Sequence, residues 1–216
     1  MLICFFDILK LLKDRNTEMC IVKNKFLYKF LKRYLDISLS LILIIFFIPL
    51  ILITAILIKI DTKGPVLYWA KRVGQNNKIF LMPKFRTMKV GTPVIGSIEL
   101  KNPSFYVTRI GNVLRKISFD EIPQLYSVLI GDMSLVGPRP ALFNELDLIG
   151  LREIKSINSL KPGLTGYAQI NGRDKISKQF KVSLDYEYLK KANFCFDLII
   201  LFITIFRLKW IKDISH

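Results

Sequence analysis

The chain is strongly apolar in two places and mixed elsewhere. From Ile37 to Ile58 run 22 residues without a charge, ISLSLILIIFFIPLILITAILI. At about 1.5 Å per residue, a straight helix of that length just crosses a hydrocarbon core of ~30 Å. Pro49 sits near its middle, where a proline removes a helical hydrogen bond and displaces a carbonyl of the preceding turn. The halves on either side, 37–48 and 50–58, each reach only about 14–18 Å. Lys25, Lys29, Lys32 and Arg33 precede the run, and Lys59, Lys63, Lys71 and Arg72 follow it. Basic flanks mark the cytoplasmic side, so charge at one end alone would set a direction of crossing. With both ends basic, the pattern predicts a helix broken at Pro49 that enters the membrane and returns to the same face. A kinked spanning helix is the alternative. The second apolar stretch, 194–208, is interrupted by Asp197, which leaves only Leu198–Phe206 uncharged, too short to span. It predicts an interfacial helix with Arg207 and Lys209 snorkelling toward lipid phosphates; a buried core helix is the competing reading.

Between these stretches the pattern shortens. Residues 66–81 read as two strands joined at Gly74-Gln75-Asn76-Asn77, a hairpin. Residues 91–108, rich in Gly, Pro and Ser, read as a loop. Helical patterns then alternate with punctuation at Gly131, Gly137-Pro138-Arg139-Pro140, Pro162-Gly163 and Gly172. The predicted fold is α+β and helix-dominated: a monotopic membrane protein with a Pro-broken re-entrant N-terminal helix and interfacial amphipathic helices. Its expected organisation is an N-terminal extension (1–24), the re-entrant membrane helix (25–60), a cytosolic catalytic domain (61–193), and an interfacial C-terminal helix and tail (194–216). The extension begins with an apolar stretch that lacks a small-residue cleavage site, and Met19 offers an alternative start of translation.

Composition narrows the function. The 216 residues include 33 Lys+Arg against 17 Asp+Glu, a formal charge of +16, yet 51% are hydrophobic. Disorder is excluded, and the combination points to a membrane surface. From Lys59 to Pro93 there are eight basic residues and one acidic one, Asp61; such a stretch suits anionic lipid or a phosphorylated ligand, or forms a solvated basic face. No helix-turn-helix, zinc-finger or RNP-like signature accompanies the charge, so no nucleic-acid partner is expected. The one histidine, His216, is terminal, which removes Ser–His–Asp, Cys–His and His-ligated zinc chemistry. Cys4, Cys20 and Cys195 have no metal-ligand spacing, and their odd number and scatter predict reduced thiols in a cytosolic compartment.

The chemical residues concentrate in Arg115–Pro140, RKISFDEIPQLYSVLIGDMSLVGPRP. Ser118 or Asp120 can cap a helix with Pro123 in its first turn, and Glu121 can serve that helix as a first-turn acid. The same position lets an ionised Asp120 attack phosphorus or ligate a divalent cation. Arg115 stands five residues before Asp120, and Arg139 is clamped between Pro138 and Pro140; a guanidinium on a rigid loop suits bidentate phosphate contacts. Adjacent carboxylates, ordered arginines and no internal histidine describe phosphoryl transfer better than acyl or hydride transfer. A non-catalytic membrane scaffold is the alternative from another class, and it needs neither the carboxylate pair nor Arg139.

Five motifs in order, KFRTM at Lys84–Met88, Arg109-Ile110-Gly111 through Arg115, SFDEIPQL at Ser118–Leu125, GDMSLVGPRP at Gly131–Pro140 and KPGLTGYAQINGR at Lys161–Arg173, resemble the bacterial sugar transferases. These are the monotopic phosphoglycosyl transferases, and the resemblance runs from about Lys32 to Arg207. It implies transfer of a sugar-1-phosphate from a UDP-sugar to polyprenyl (undecaprenyl) phosphate, with release of UMP, as the first step of surface-glycan assembly at the cytoplasmic face of the bacterial inner membrane. It implies that Asp120 is the nucleophile forming a covalent phospho-sugar intermediate and helps bind a required Mg²⁺. Glu121 is then the dyad partner, orienting groups or accepting a proton from the lipid phosphate. Arg139, within Pro138-Arg139-Pro140, and Arg115 match the family's arginines, while Lys84, Arg86 and Arg173 are expected phosphate or nucleotide contacts. Anionic membrane lipids are further expected partners, and homo-oligomerisation is left open. The family's re-entrant helix breaks at a Ser-Pro pair, which agrees with Pro49, although Ile48 stands where small members carry Ser. Phe119 replaces the commoner Leu before the dyad. Without the four spanning helices of large members, the chain resembles the small, catalytic-domain-only type.

Overall fold

The computed structural model describes residues 25–93, 103–172 and 176–211. Helix α1 (Lys25–Asp61) takes in the basic approach and the whole apolar run, with Pro49 inside it. Its last turn closes through the Thr62 N–H donating to the Ile58 carbonyl (3.1 Å), and Gly64 at φ +123° turns the chain away. One stripe of α1 faces the rest of the protein. Asp36, Ser40, Thr54 and Ile58 are buried; Leu39, Leu43 and Ile44 pack on one hydrophobic cluster, and Phe47 and Ile51 on a second. Steps of three and four residues keep all of these on one face. The rest of the circumference is bare: Ile42, Ile45, Phe46, Leu52, Ile53 and Ile56 are each more than half exposed. By length and composition α1 is able to cross a membrane.

The predicted hairpin is present. Strands β1 (Leu67–Val73) and β2 (Ile79–Phe85) pair antiparallel, with Tyr68 opposite Lys84 and Val73 opposite Ile79. The turn between them places Asn76 and Asn77 at φ 54° and 60°, a left-handed conformation that Asn tolerates better than most residues. The stretch read as a loop from 91 to 108 includes regular structure: a single helical turn, α2 (Pro103–Tyr106), precedes a bridge between Met88 and Val107. Thr108 then caps α3 (Arg109–Lys116), its hydroxyl accepting from the Gly111 N–H at 2.9 Å.

Beyond α3 come α4 (Gln124–Ile130), β3 (Ser134–Val136), α5 (Leu146–Ile154), β4 (Gly163–Thr165), the single turn α6 (Tyr167–Ile170), α7 (Lys178–Lys191) and α8 (Phe194–Ile211). β3 and β4 form a short parallel pair. Gly137 and Gly163 permit their close approach, since a Cβ on either would overlap the backbone of the other segment. The main core joins Ala70 and Met82 of the hairpin to Leu125 and Val128 of α4, Leu135 and Val136 of β3, Tyr188 of α7 and Ile200 of α8.

Helix α8 is buried along one side and bare along another. Asp197 and Ile200 are buried, while Leu198, Phe202, Ile205 and Phe206 stay exposed. Asp197 is buried because Lys32 of α1 donates to it at 2.7 Å and the Tyr188 hydroxyl at 2.6 Å. Cys195 is disulfide-bonded, against the expectation of free thiols; pairing depends on approach in space, which linear spacing does not record.

Candidate active site

The Asp120–Glu121 pair lies on a 3₁₀ turn, Phe119–Glu121, entered through Ser118 at φ 56°. Phe119 anchors that turn. Its buried ring stacks on Phe85 of β2 (6.2 Å between centroids, 8° between planes) and meets Phe47 of α1 edge-on at 5.8 Å. The larger ring at this position thus joins the membrane helix, the hairpin and the dyad at one point.

The expectation that Ser118 or Asp120 caps the next helix is overturned. α4 starts after Pro123, and neither it nor the 3₁₀ turn has a side-chain cap. Pro123 brings no N–H to satisfy, and the following donors are taken locally: Leu125 N–H by Ile122 O at 3.1 Å and Tyr126 N–H by Pro123 O at 3.1 Å. Both carboxylates are therefore left to the cleft in front of them, which has a volume of about 630 Å³.

Within the cleft the two acids differ. Glu121 Oε1 accepts from Lys84 Nζ at 2.8 Å and from Arg139 Nη2 at 3.3 Å. Burial alone would raise its pKa, but Arg139 and Lys84 hold it at about 2. Asp120 has no ion pair among the described residues. Burial pushes its carboxyl above the usual value and Glu121 adds to that, against the opposing pull of Lys84 and Arg115. Adjacent residues thus carry one carboxylate held by two cations and one carboxylate that makes no ion pair among the described residues.

The basic residues reach the cleft from separate elements. Lys84 comes from β2. Arg115, on α3, donates through Nε to the Thr87 hydroxyl at 2.8 Å, which holds its guanidinium beside the dyad. Arg139 lies on the loop after β3, and that loop is fixed from behind. The Gly163 N–H donates to Pro138 O (2.8 Å) and Arg152 Nη1 donates to Arg139 O (2.9 Å). Arg152 is itself tied to Asp185 at 2.6 Å. Pro138 and Pro140 are buried, so they set the Arg139 backbone while Arg139 alone of the three reaches the cleft.

Not every expected contact is brought to the dyad. Arg86 is only 5% exposed, and its guanidinium donates to Lys63 O, Thr62 O and the Thr62 hydroxyl at 2.8–2.9 Å. It fastens the C-terminal end of α1 to the end of β2 and also lines the cleft, with its Nε buried and unpartnered. Arg173 lies outside the described residues. Conversely, Arg72 lines the cleft without having been singled out as a site residue. Its Nε is buried without a partner, and burial followed by the Arg139 charge lowers its pKa. A signal was available: Arg72 shares a strand face with the buried Ala70, and a charge at an inward strand position is costly unless it has work to do.

Among the described residues no three His, Cys, Asp or Glu side chains converge as a metal cluster. The unpinned Asp120, next to Glu121 and faced by cations suited to phosphate, still fits Mg²⁺, which is commonly held by one or two carboxylates together with substrate phosphates.

Residues 27–210 match the family model described as bacterial sugar transferase. A UDP-N-acetylgalactosamine-undecaprenyl-phosphate N-acetylgalactosaminephosphotransferase from Aeromonas hydrophila is 38% identical over 185 residues, covering 83% of this chain and 44% of that protein. The exopolysaccharide production protein ExoY of Rhizobium meliloti is 37% identical over 81% of this chain and 83% of its own length. The UDP-glucose:undecaprenyl-phosphate glucose-1-phosphate transferase of Escherichia coli is 37% identical over 83% of this chain and 40% of its own. The chain thus spans less than half of two of these relatives and most of the third.

Proposed function

The chain belongs to the bacterial sugar transferase family, and on that premise we propose that it moves a sugar-1-phosphate from a UDP-sugar to undecaprenyl (polyprenyl) phosphate. The products are UMP and the polyprenyl-diphosphate-sugar that starts a surface glycan. One observation carries the reading: an unpinned Asp120 stands beside a Glu121 whose charge is shared by Lys84 and Arg139. Relatives whose names specify transfer to undecaprenyl phosphate support it.

In the first step a carboxylate oxygen of Asp120 attacks the sugar-bearing phosphorus of the donor. An Asp–O–P bond forms, the diphosphate P–O bond breaks, and UMP leaves with the electron pair. In the second, an oxygen of polyprenyl phosphate attacks the same phosphorus, and the acyl-phosphate bond breaks to restore Asp120. Lys84, Arg115 and Arg139 hold the phosphates in line, which is most of what a protein contributes to phosphoryl transfer. Asp120 would hold Mg²⁺, which when bound offsets the repulsion between the anionic nucleophile and the diphosphate. Glu121, ionised throughout the working pH range, is suited to orienting Lys84 and Arg139 rather than taking a proton.

The re-entrant path of α1 belongs to the same proposal. Asp36 near its start accepts from the Ser134 hydroxyl and the Leu135 N–H, and Asp61 at its end accepts from the Ile110 N–H. Both ends, and the stripe between them, touch the body that carries the charged cleft. A helix crossing the bilayer would draw that body into hydrocarbon. A helix that dips in, bends at Pro49 and returns leaves the cleft at the cytoplasmic face of the inner membrane.

The test uses membranes containing the full chain, labelled UDP-sugars, Mg²⁺ and polyprenyl phosphate. UMP release with sugar passing into the lipid phase is expected. No release from any common UDP-sugar would overturn the assignment.

A further inference from the structure

The hairpin carries an exposed apolar surface that the proposed reaction does not use. On the outer face of β1–β2, Trp69 is 47%, Leu81 51% and Ile79 64% exposed. Trp69 pairs with Pro83 and Lys71 with Leu81, so Trp69 and Leu81 are diagonal neighbours on one face. The surface continues onto α4: the Tyr126 ring meets Trp69 edge-on at 6.5 Å, and Ile130, one turn further along, is 53% exposed.

Two observations say what covers it. The first is continuity with α1. Arg33 donates to Val128 O at 2.7 Å and to Leu129 O at 2.6 Å. The Ile130 end of the patch therefore lies against the stretch of α1 where Phe30, Tyr34 and Ile37 are exposed. The second is chemistry. Residues 67–85 contain Lys71, Arg72, Lys78 and Lys84 and no acid. A Trp–Tyr pair bordered by lysines suits the zone between lipid headgroups and acyl chains, where amphipathic rings concentrate and anionic headgroups attract cations. A second copy fits poorly, because a two-fold contact sets each patch against itself and would bring lysines to lysines with no carboxylate between.

We propose that the outer face of the β1–β2 hairpin, with Tyr126 and Ile130, is a second membrane contact that seats Trp69 at the headgroup–acyl boundary. The inference rests on α1 being embedded in lipid. Trp69 and Leu81 then hold lipid, while Lys84 and Arg72 on the other face line the cleft, which Lys71, beside Leu81, also borders. The active-site wall is moored directly to the membrane that supplies the lipid substrate.

The chain has two tryptophans, Trp69 and Trp210, so Trp210→Phe leaves Trp69 as the sole reporter. The full chain is reconstituted in phosphatidylcholine–phosphatidylglycerol vesicles with bromine on the upper acyl chain. Trp69 fluorescence should shift to the blue and lose more than half its intensity relative to unbrominated vesicles. A reference chain, Trp69→Phe with Trp210→Phe and Phe46→Trp, reports α1 alone. Quenching in the reference but not at Trp69 overturns the proposal and leaves the α1 reading intact; no quenching in either overturns both. A blue-shifted Trp69 that brominated lipid does not quench also overturns it, in favour of a protein partner.

Discussion

Glu121 makes the residue scale decisive. Lys84 at 2.8 Å and Arg139 at 3.3 Å share its single Oε1, so Glu121→Gln leaves two cations without their organiser. The expected result is a fall of about 10²–10³-fold in kcat, the usual size for losing a preorganised electrostatic group, with covalent phospho-sugar still trapped on the protein. Asp120→Asn should abolish both turnover and trapping, and intact-mass measurement after donor alone separates the two variants. An Asp120→Asn chain that keeps substantial activity sinks the nucleophile assignment. Arg139→Lys keeps the charge but loses the planar fork; a drop of roughly 10²-fold in kcat/KM is expected. Chelation of divalent cations should stop UMP release and added Mg²⁺ restore it; activity that persists in chelator would remove the metal from the scheme. Asp120 itself read two ways in sequence, as a helix cap or as chemistry. Pro123 occupying the cap position removes the first reading, and the Asp120→Asn measurement tests the second.

At the scale of elements, buried ion pairs hold the site in place. Arg152 of α5 and Asp185 of α7, with side chains 9% and 2% exposed, meet at 2.6 Å, and Arg152 also holds the Arg139 carbonyl. Removing one partner strands the other charge. Asp185→Asn should therefore cost about 3–5 kcal/mol, read by denaturant unfolding in detergent, and should lower activity by loosening the Arg139 loop. A change within experimental error would show the pair to be dispensable. Asp197 has an analogous place in α8. It interrupts an apolar helix because Lys32 and Tyr188 need an acceptor there. Its sequence signature was legible as a barrier to spanning, and its partners were not.

The whole molecule depends on α1. One stripe of it, from Asp36 to Ile58, lies on the protein while the opposite faces are apolar and bare. In a cysteine-free background, single cysteines replacing Lys29 and Lys63 should both react with an impermeant maleimide from the cytoplasmic side alone. Labelling from opposite sides would mean a spanning helix and would end the re-entrant reading. Under the proposed function, the +16 charge has two uses at this scale, headgroups along the membrane side and phosphates in the cleft.

Local features were readable from the chain by itself. The uncharged run with its proline, the Asn-rich hairpin turn, the Pro-Arg-Pro clamp and the order of the motifs each depend on neighbours within a few residues. Periodicity, turn chemistry and hydropathy act over that range. The pairing of charges did not follow from sequence. Glu121 meets Lys84 across 37 positions and Arg139 across 18, and Lys32 meets Asp197 across 165. Arg86 and Arg72 both line the cleft, and Arg86 also fastens the end of α1, a contact that no spacing in the chain announced. Whether a cation binds a carboxylate, a carbonyl or a substrate depends on which groups the chain path brings within about 3 Å. That distance is set by packing, because burying any of these charges unpaired costs more than the contact returns.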